Sequence, residues 1–417
     1  MRPIQADRAL LVSMRQLVQG MGMLTGLTVC YGNRDEHAIV STGLKQEVLL
    51  TETGFENAPE EITGCTVYDI ASLTKLFTLV SVLQLVEQGA LRMEDSIHHL
   101  DSRFVHLKDC TVFECLSYLA CLRTPERVDA QADADTARAM VFQTFRVPLE
   151  GVRLYSDMNA LVMKYVVEKV SGLPFEQYLA LHIFKPAGME ETWANVPLHR
   201  RQDLMNYNYE HKRLNGSYAL YTEAFPGMPH DPKARLLKSG NDALSGHAGL
   251  FSTAEDLCRF CHALLQGRLI SGETVRKIGV NRTGYLKHDG SYRQFLGLLC
   301  FTKSPVQRLS EVPHWMGLRA FGLSGYTGNH LAMDPDTGVF DVFLGNRCHN
   351  RFSLVIPEED APGIGLQENG SGEVLWPDGR SVLSSYRYIH QKDSRLHLPV
   401  CACLQARGWL KSSPPGS

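Results

Sequence analysis

An α/β fold with an all-α lobe inserted into its middle is what the sequence predicts, on three observations. Short apolar segments that read as strands occur towards both ends of the chain. Segments with helical periodicity crowd the middle. The length of 417 residues, 44% hydrophobic and 21% charged, suits a globular chain with a large core and two lobes. One sheet built from both chain ends, with helices between, satisfies all three.

Taken in order, residues 5–20 read as a helix. Residues 24–32 ("LTGLTVCYG") and 37–43 ("HAIVSTG") read as two strands joined by the polar turn "NRDE". Residues 68–91 ("YDIASLTKLFTLVSVLQLVEQGAL") read as an amphipathic helix that stops at Gly89. Residues 111–122 read as a helix opened by a capping box, Thr111 with Glu114. Residues 158–172 form a third helix closed by Gly172, and residues 174–184 a fourth, with Pro186 and Gly188 beyond its end. Residues 195–250 show little periodicity and are too long for a plain connection, which predicts a structured functional loop. A helix follows over 252–267, capped by Ser252 or Thr253. Residues 294–301 are strand-like, and 326–347 read as two strands around the turn "DPDTG". Residues 355–380 are turn-rich, 381–410 hold a last helix, and the tail 411–417 is expected to be disordered.

The totals exclude several functions. Net charge is -3 and no Lys/Arg block stands out, so neither nucleic acid nor an anionic membrane surface is an expected partner. No apolar run approaches the roughly 20 residues of a membrane span. The N-terminus lacks an apolar h-region and a cleavage site, so no signal peptide is read and a cytoplasmic location is expected. The 11 cysteines are scattered, often within apolar segments, and read as reduced core residues.

The candidate chemistry lies at the start of the 68–91 segment. Ser72 and Lys75 stand three apart, so they share a helix face and can touch across one turn. A serine hydroxyl needs a base, and a lysine can be one if its surroundings lower its pKa. The N–H groups of a helix start favour an anion developing there. Alone the signal is weak, because S-x-x-K arises by chance about once in a chain this long.

Two further segments strengthen it. "RLYSDMN" puts Tyr155 just before a helix, and "FGLSGYTGN" puts Leu323, Ser324 and Gly325 on a late strand. With "SLTK", and with "LVEQGALRMEDSI", "EKVSGLPFEQYL", "IFKPAGMEET" and "GHAGLFSTAEDLCRF", the chain resembles the serine β-lactamase and penicillin-binding-protein-like hydrolases over about residues 10–350. Within that family it is most similar to the class C β-lactamase, DD-peptidase and esterase branch. The resemblance implies a DD-peptidase/β-lactamase-like fold, with an antiparallel sheet flanked by helices (residues 1–70 and 270–410) and a helical lobe over 71–269 in one catalytic domain.

It also implies roles. Ser72 would be the acylated nucleophile, Lys75 its base and Tyr155 the proton shuttle to the leaving group. Asp157 stands where asparagine is common and would orient Lys75 or the substrate. Ser324 and Gly325 match the second and third places of the strand motif. The N–H groups of Ser72 and Tyr326 would form the oxyanion hole. Leu323 departs, because the family has lysine or histidine there. The departure implies an apolar cleft edge suited to an ester, an uncharged amide or a lipophilic acyl group, unless Arg319 supplies a charge. Segment 116–124 ("LSYLACLRT") departs as well. No cofactor or metal is implied, the partner is a small ester, amide or peptide, and oligomeric state is left open. Two rival readings stay: a catalytically silent binding protein of the same fold, and a penicillin-binding DD-peptidase or β-lactamase.

Other motifs have plainer readings. "CRFCH" (258–262) matches haem attachment, but it falls in an amphipathic helix and reads as core. His230, Asp231 and His247 are expected to hold the long loop together, with Asp231 capping a turn, the alternative being a cleft lining near Ser72.

Overall fold

The structure is a computed structural model. It describes residues 2–411 except 150–152, 215–216, 240–241, 289, 306–310, 354–371 and 377–378. The expected disordered tail beyond Lys411 and most of the turn-rich 355–380 stretch lie outside the described residues.

The main sheet has seven strands. Both chain ends build it: β1 (Gly26–Gly32), β2 (His37–Thr51) and β3 (Gly54–Glu61) from the first, and β4 (Phe301–Thr302), β5 (Phe321–Ser324), β6 (His330–Asp334) and β7 (Val339–Gly345) from the second. Their order is β4-β5-β6-β7-β1-β2-β3, antiparallel throughout. β1 is central and buried along its whole length. Its side chains alternate between the two faces, as the pleat requires. Leu27, Val29 and Tyr31 pack under the terminal helices, whereas Cys30 faces the large helical core. The "NRDE" turn is held by the Asn33 side chain, which accepts from the N–H groups of Asp35 and Glu36, both at 2.8 Å.

Helices α1 (Pro3–Arg15) and α5 (Leu398–Ala406) cover one face through Leu10, Met14, Val400 and Leu404. On the other face packs α4 (Ala254–Leu265), and α2 (Thr74–Glu87) and α3 (Asp157–Ser171), packed on each other, belong to the same large core. Thr253 caps α4 and Gly172 closes α3 in the left-handed conformation (φ 73°). Cys258 and Cys261 of "CRFCH" lie fully buried in that core.

Four expectations need correction. The 68–91 segment is not one amphipathic helix. It is a two-residue strand, a 3-10 turn (Ala71–Leu73) and then α2, which is buried on every side from Thr74 to Leu85. The 111–122 helix keeps its capping box but covers only Val112–Leu116, because Tyr118 and Cys121 take positive φ (63° and 47°). The 294–301 strand shrinks to β4, because Leu299 turns left-handed (φ 49°). The two strands read over 326–347 are β6 and β7, but 381–410 is not one helix: it holds a short strand and a broken run of helix ending in α5. No helix among the described residues is long and apolar enough to cross a membrane.

The C-terminal helices are fixed to the sheet by a buried pair. His397 Nδ1 lies 2.9 Å from Asp341 Oδ2 of β7, and neither side chain has any solvent exposure. Removing the imidazole leaves a buried carboxylate without that partner. His397→Ala should therefore lower unfolding free energy by about 3 kcal/mol in a urea titration. The double variant with Asp341→Asn should lose less than the sum of the two single losses. A loss below about 1 kcal/mol for His397→Ala would remove the pair as a clamp.

Candidate active site

Ser72 stands on the 3-10 turn between the short strand at Tyr68–Asp69 and α2. The residue before it, Ala71, is held at φ 47°, a region non-glycine residues rarely adopt. Buried Asp69 holds the turn in place. Its carboxylate accepts from the Ala71 N–H (2.9 Å) and the His230 N–H (2.7 Å), and its carbonyl accepts from the Asn329 side chain (2.7 Å). One residue thus ties the turn, the long 195–250 segment and the β5–β6 loop. Gly325 is required here by close approach: a Cβ would stand 3.0 Å from the Ile70 carbonyl and 3.2 Å from Ala71 Cβ.

Lys75 is in the first turn of α2 and has no solvent exposure. Its Nζ donates to Ser72 Oγ at 2.8 Å and to the His247 carbonyl at 3.1 Å, and lies 2.9 Å from Asp157 Oδ1. Burial pushes its pKa down, but attraction to Asp157 and Tyr155 outweighs burial, so the pKa is raised. The resting amine is an ammonium ion that donates to the hydroxyl.

Asp157 sits at the start of α3 and bridges two cations. Its other oxygen is 2.9 Å from Lys233 Nζ. Burial alone would raise its pKa; Lys75 and Lys233 together hold it well below the usual carboxylate range. Lys233 also lies 3.8 Å from Asp231, which is 2.9 Å from His247 Nε2. Asp231 caps a short helix by accepting from the Ala234 N–H (2.9 Å), so it both holds the loop and joins the cleft network.

Tyr155 is clamped by aromatic rings. Tyr118 stacks on it at 5.5 Å between centroids and Phe301 at 5.3 Å, while Lys75 Nζ is 5.2 Å from its ring centroid. The departed 116–124 segment thus supplies one ring of the clamp. Gln294 Oε1 fixes the backbone by accepting from the N–H groups of Leu154 (2.9 Å) and Tyr155 (3.1 Å).

The strand motif closes the site. Ser72, Tyr155, Asp157, Ser324, Gly325 and Tyr326 line one cleft of about 450 Å³. The Tyr326 N–H has no acceptor among the described residues. Leu323 does not line the cleft: it is fully buried in the core on the opposite face from Ser324. The apolar edge implied by that leucine is therefore absent. Ser324 Oγ instead meets the Glu311 carboxylate, His330 Nδ1 (3.0 Å) and Lys392 Nζ (2.6 Å). Arg319 pairs with Asp336 at 3.1 Å and is not at the cleft.

Lys233, Glu311 and Lys392 were not singled out in the sequence. Lys233 adjoins the "HDP" cluster and could have been flagged with it. Lys392 lies 68 residues beyond Ser324, and nothing local marks it.

Comparison with known proteins is consistent with this fold. The family model described as Beta-lactamase matches residues 42–359. A protein of Escherichia coli O157:H7 with the provisional name D-alanyl-D-alanine carboxypeptidase is 26% identical over 324 residues, covering 70% of this chain and 71% of the relative. A Salmonella typhi protein with the same provisional name is 24% identical over 324 residues, covering 70% of this chain and 72% of that one. Among solved structures, a class C β-lactamase superposes with a TM-score of 0.60 at 14% identity, covering 83% of this chain and 94% of that one. A mutant simvastatin synthase from Aspergillus terreus gives 0.58 at 16% identity, covering 82% and 91%.

Since Asp157 holds Lys75 cationic, Asp157→Asn should lower the lysine pKa. Fluorophosphonate labelling at Ser72 should then reach its plateau at lower pH, by about one unit or more, equivalent to about 1.4 kcal/mol. An unshifted profile would separate Asp157 from control of the amine.

Proposed function

Because the chain belongs to the β-lactamase family, we propose that it is a serine hydrolase that cleaves an ester, amide or peptide through an acyl-enzyme on Ser72. One observation carries the proposal: a fully buried lysine amine lies 2.8 Å from a hydroxyl that faces the cleft. A solvated lysine beside a capping serine would not be buried, nor share a carboxylate with a second lysine.

The steps follow from the geometry. Lys75 sheds its proton to solvent and becomes a base. Ser72 Oγ then forms a bond to the carbonyl carbon while its proton passes to the amine. The carbonyl oxygen becomes an oxyanion, which the N–H groups of Ser72 and Tyr326 are proposed to hold. The carbon–leaving-group bond breaks as the proton moves to the leaving group, with Tyr155 as the relay. Water then attacks the acyl carbon, gives a proton back through the same groups and releases the acid. Because Lys75 starts protonated, activity should rise with pH through its raised pKa.

The relatives' provisional name points to a second substrate reading, a peptide ending in D-alanine. The polar environment of Ser324 favours it over the lipophilic acyl group that Leu323 had implied.

Turnover of a p-nitrophenyl acylate should fall at least about a thousandfold in Ser72→Ala and in Lys75→Ala, as for members of a catalytic unit. D-alanine release from a D-Ala-D-Ala peptide separates the peptidase reading from a simple esterase. Wild-type protein that turns over none of these and leaves Ser72 unlabelled by a fluorophosphonate would be a silent binding protein.

A further inference from the structure

We propose that His330, Asp341 and His397 form a buried binding site for one divalent transition-metal ion of the zinc type, which ties the C-terminal helices to the sheet. The proposal does not depend on the hydrolase reading.

The sheet register places two of the three ligands. His330 of β6 lies opposite Phe343 of β7, and Asp341 stands two residues before Phe343, so both side chains share one face of the sheet. His397, immediately before α5, brings the third. The two imidazole rings are 4.9 Å apart between centroids, and the Phe343 ring packs on both, at 5.4 Å and 4.9 Å. None of the three ligand side chains has solvent exposure.

A nitrogen of each ring and a carboxylate oxygen lie within 4.8 Å of one another. His397 Nδ1 is 2.9 Å from Asp341 Oδ2, and His330 Nε2 is 3.9 Å from Asp341 Oδ1. Neither His330 Nε2 nor Asp341 Oδ1 has a hydrogen-bond partner, although both are buried. Their separation is too long for a hydrogen bond, and two bare polar atoms facing each other in a core are costly. Donor atoms on a tetrahedral zinc ion stand about 3.3 Å apart, given bonds of about 2.0 Å. That value falls between the two observed separations, so one shared ion satisfies both bare atoms. His330 Nδ1 is 3.0 Å from Ser324 Oγ and 3.5 Å from the Glu311 carboxylate, contacts of the kind that orient a metal-binding imidazole.

Charge singles out this cluster. Two other groups bring three possible ligand atoms equally close: Glu210 with His230 and Cys348, and Asp157 with Asp231 and His247. Lysines already neutralise their carboxylates, Lys212 at 2.6 Å from Glu210, and Lys75 and Lys233 each at 2.9 Å from Asp157. A metal ion there would face a cation held in place. Asp341 pairs with no lysine or arginine among the described residues; its ion-pair neighbours are the two histidines. Two imidazoles and one carboxylate suit zinc and its neighbours rather than calcium or magnesium, which take oxygen ligands. His397 lies beyond residues 42–359 of the family match, so the ion would fasten the added C-terminal segment to the shared sheet. Through His330 it also stands one hydrogen bond from Ser324 on the cleft wall.

Metal binding by the full chain tests this. Protein made in zinc-supplemented cells is assayed for zinc, then stripped with dipicolinate and titrated with Zn²⁺, and with Co²⁺ as a coloured probe. One ion should bind per chain. Bound Co²⁺ should show visible absorption of a low-coordinate site without the near-ultraviolet band of a cobalt–thiolate bond, which separates this site from ions held by the cysteines. Zn²⁺ should raise Tm by about 2 °C or more, whereas the His397–Asp341 clamp alone gives no metal dependence. Asp341→Asn and His397→Gln should each weaken Co²⁺ binding at least about tenfold, since losing even an outer partner of a ligand costs that much. Asp341→Asn keeps the side-chain size, and the wild-type cobalt spectrum stands as evidence if His397→Gln fails to fold. Wild-type protein that holds no stoichiometric zinc and takes up neither ion would overturn the proposal. So would a thiolate band, or binding unchanged in Asp341→Asn.

Discussion

The site depends on keeping one amine out of water beside one hydroxyl. Lys75 has no exposure, and burial opposes its charge. Burial alone would favour the neutral amine. Asp157 reverses this and fixes the amine at 2.9 Å. Lys233 then draws on the same carboxylate from the other side at 2.9 Å. The lysine pKa is thus set by a balance of burial, one carboxylate and a second cation. Aspartate in place of the asparagine common in relatives makes the second cation necessary, because an unshared carboxylate would hold the proton on Lys75 more tightly.

The fold places these groups by bringing distant segments to one turn. Asp69 joins the turn that carries Ser72 to the long middle segment and to the loop after β5. The strained backbone at Ala71 and the glycine at 325 let β5 approach that turn closely. Buried α2 leaves its first turn no freedom, so Ser72 and Lys75 cannot drift apart. The chain beyond the family match also takes part. Lys392 comes from the C-terminal helices and reaches Ser324 at 2.6 Å, so the cation missing from the strand motif is present from another segment.

Some of this was legible in the sequence and some was not. One sheet built from both chain ends followed from the strand-like segments near the termini, although β3 (Gly54–Glu61) was not read. The Ser72–Lys75 pair was visible in the spacing but carried weight only with the family motifs that also picked out Tyr155 and Ser324. Leu323 misled because a motif position was read as a cleft position, whereas the pleat turns its side chain into the core. Residues 111–122 and 294–301 were overread, since nothing in their composition marks Tyr118, Cys121 or Leu299 as left-handed. Lys392 escaped because its partner Ser324 lies 68 residues earlier, and Lys233 because, although it adjoins the "HDP" cluster, its partner Asp157 lies far back along the chain. Charge compensation of that kind leaves no periodic or local trace.

Ser72 as the covalent nucleophile is the central claim, and rapid-quench mass spectrometry with an activated ester tests it most directly. The account predicts a burst of p-nitrophenol matched by a transient mass increase equal to one acyl group, mapping to the peptide that contains Ser72. Steady hydrolysis with no acylated species, or an acyl group mapped to another residue, would contradict it.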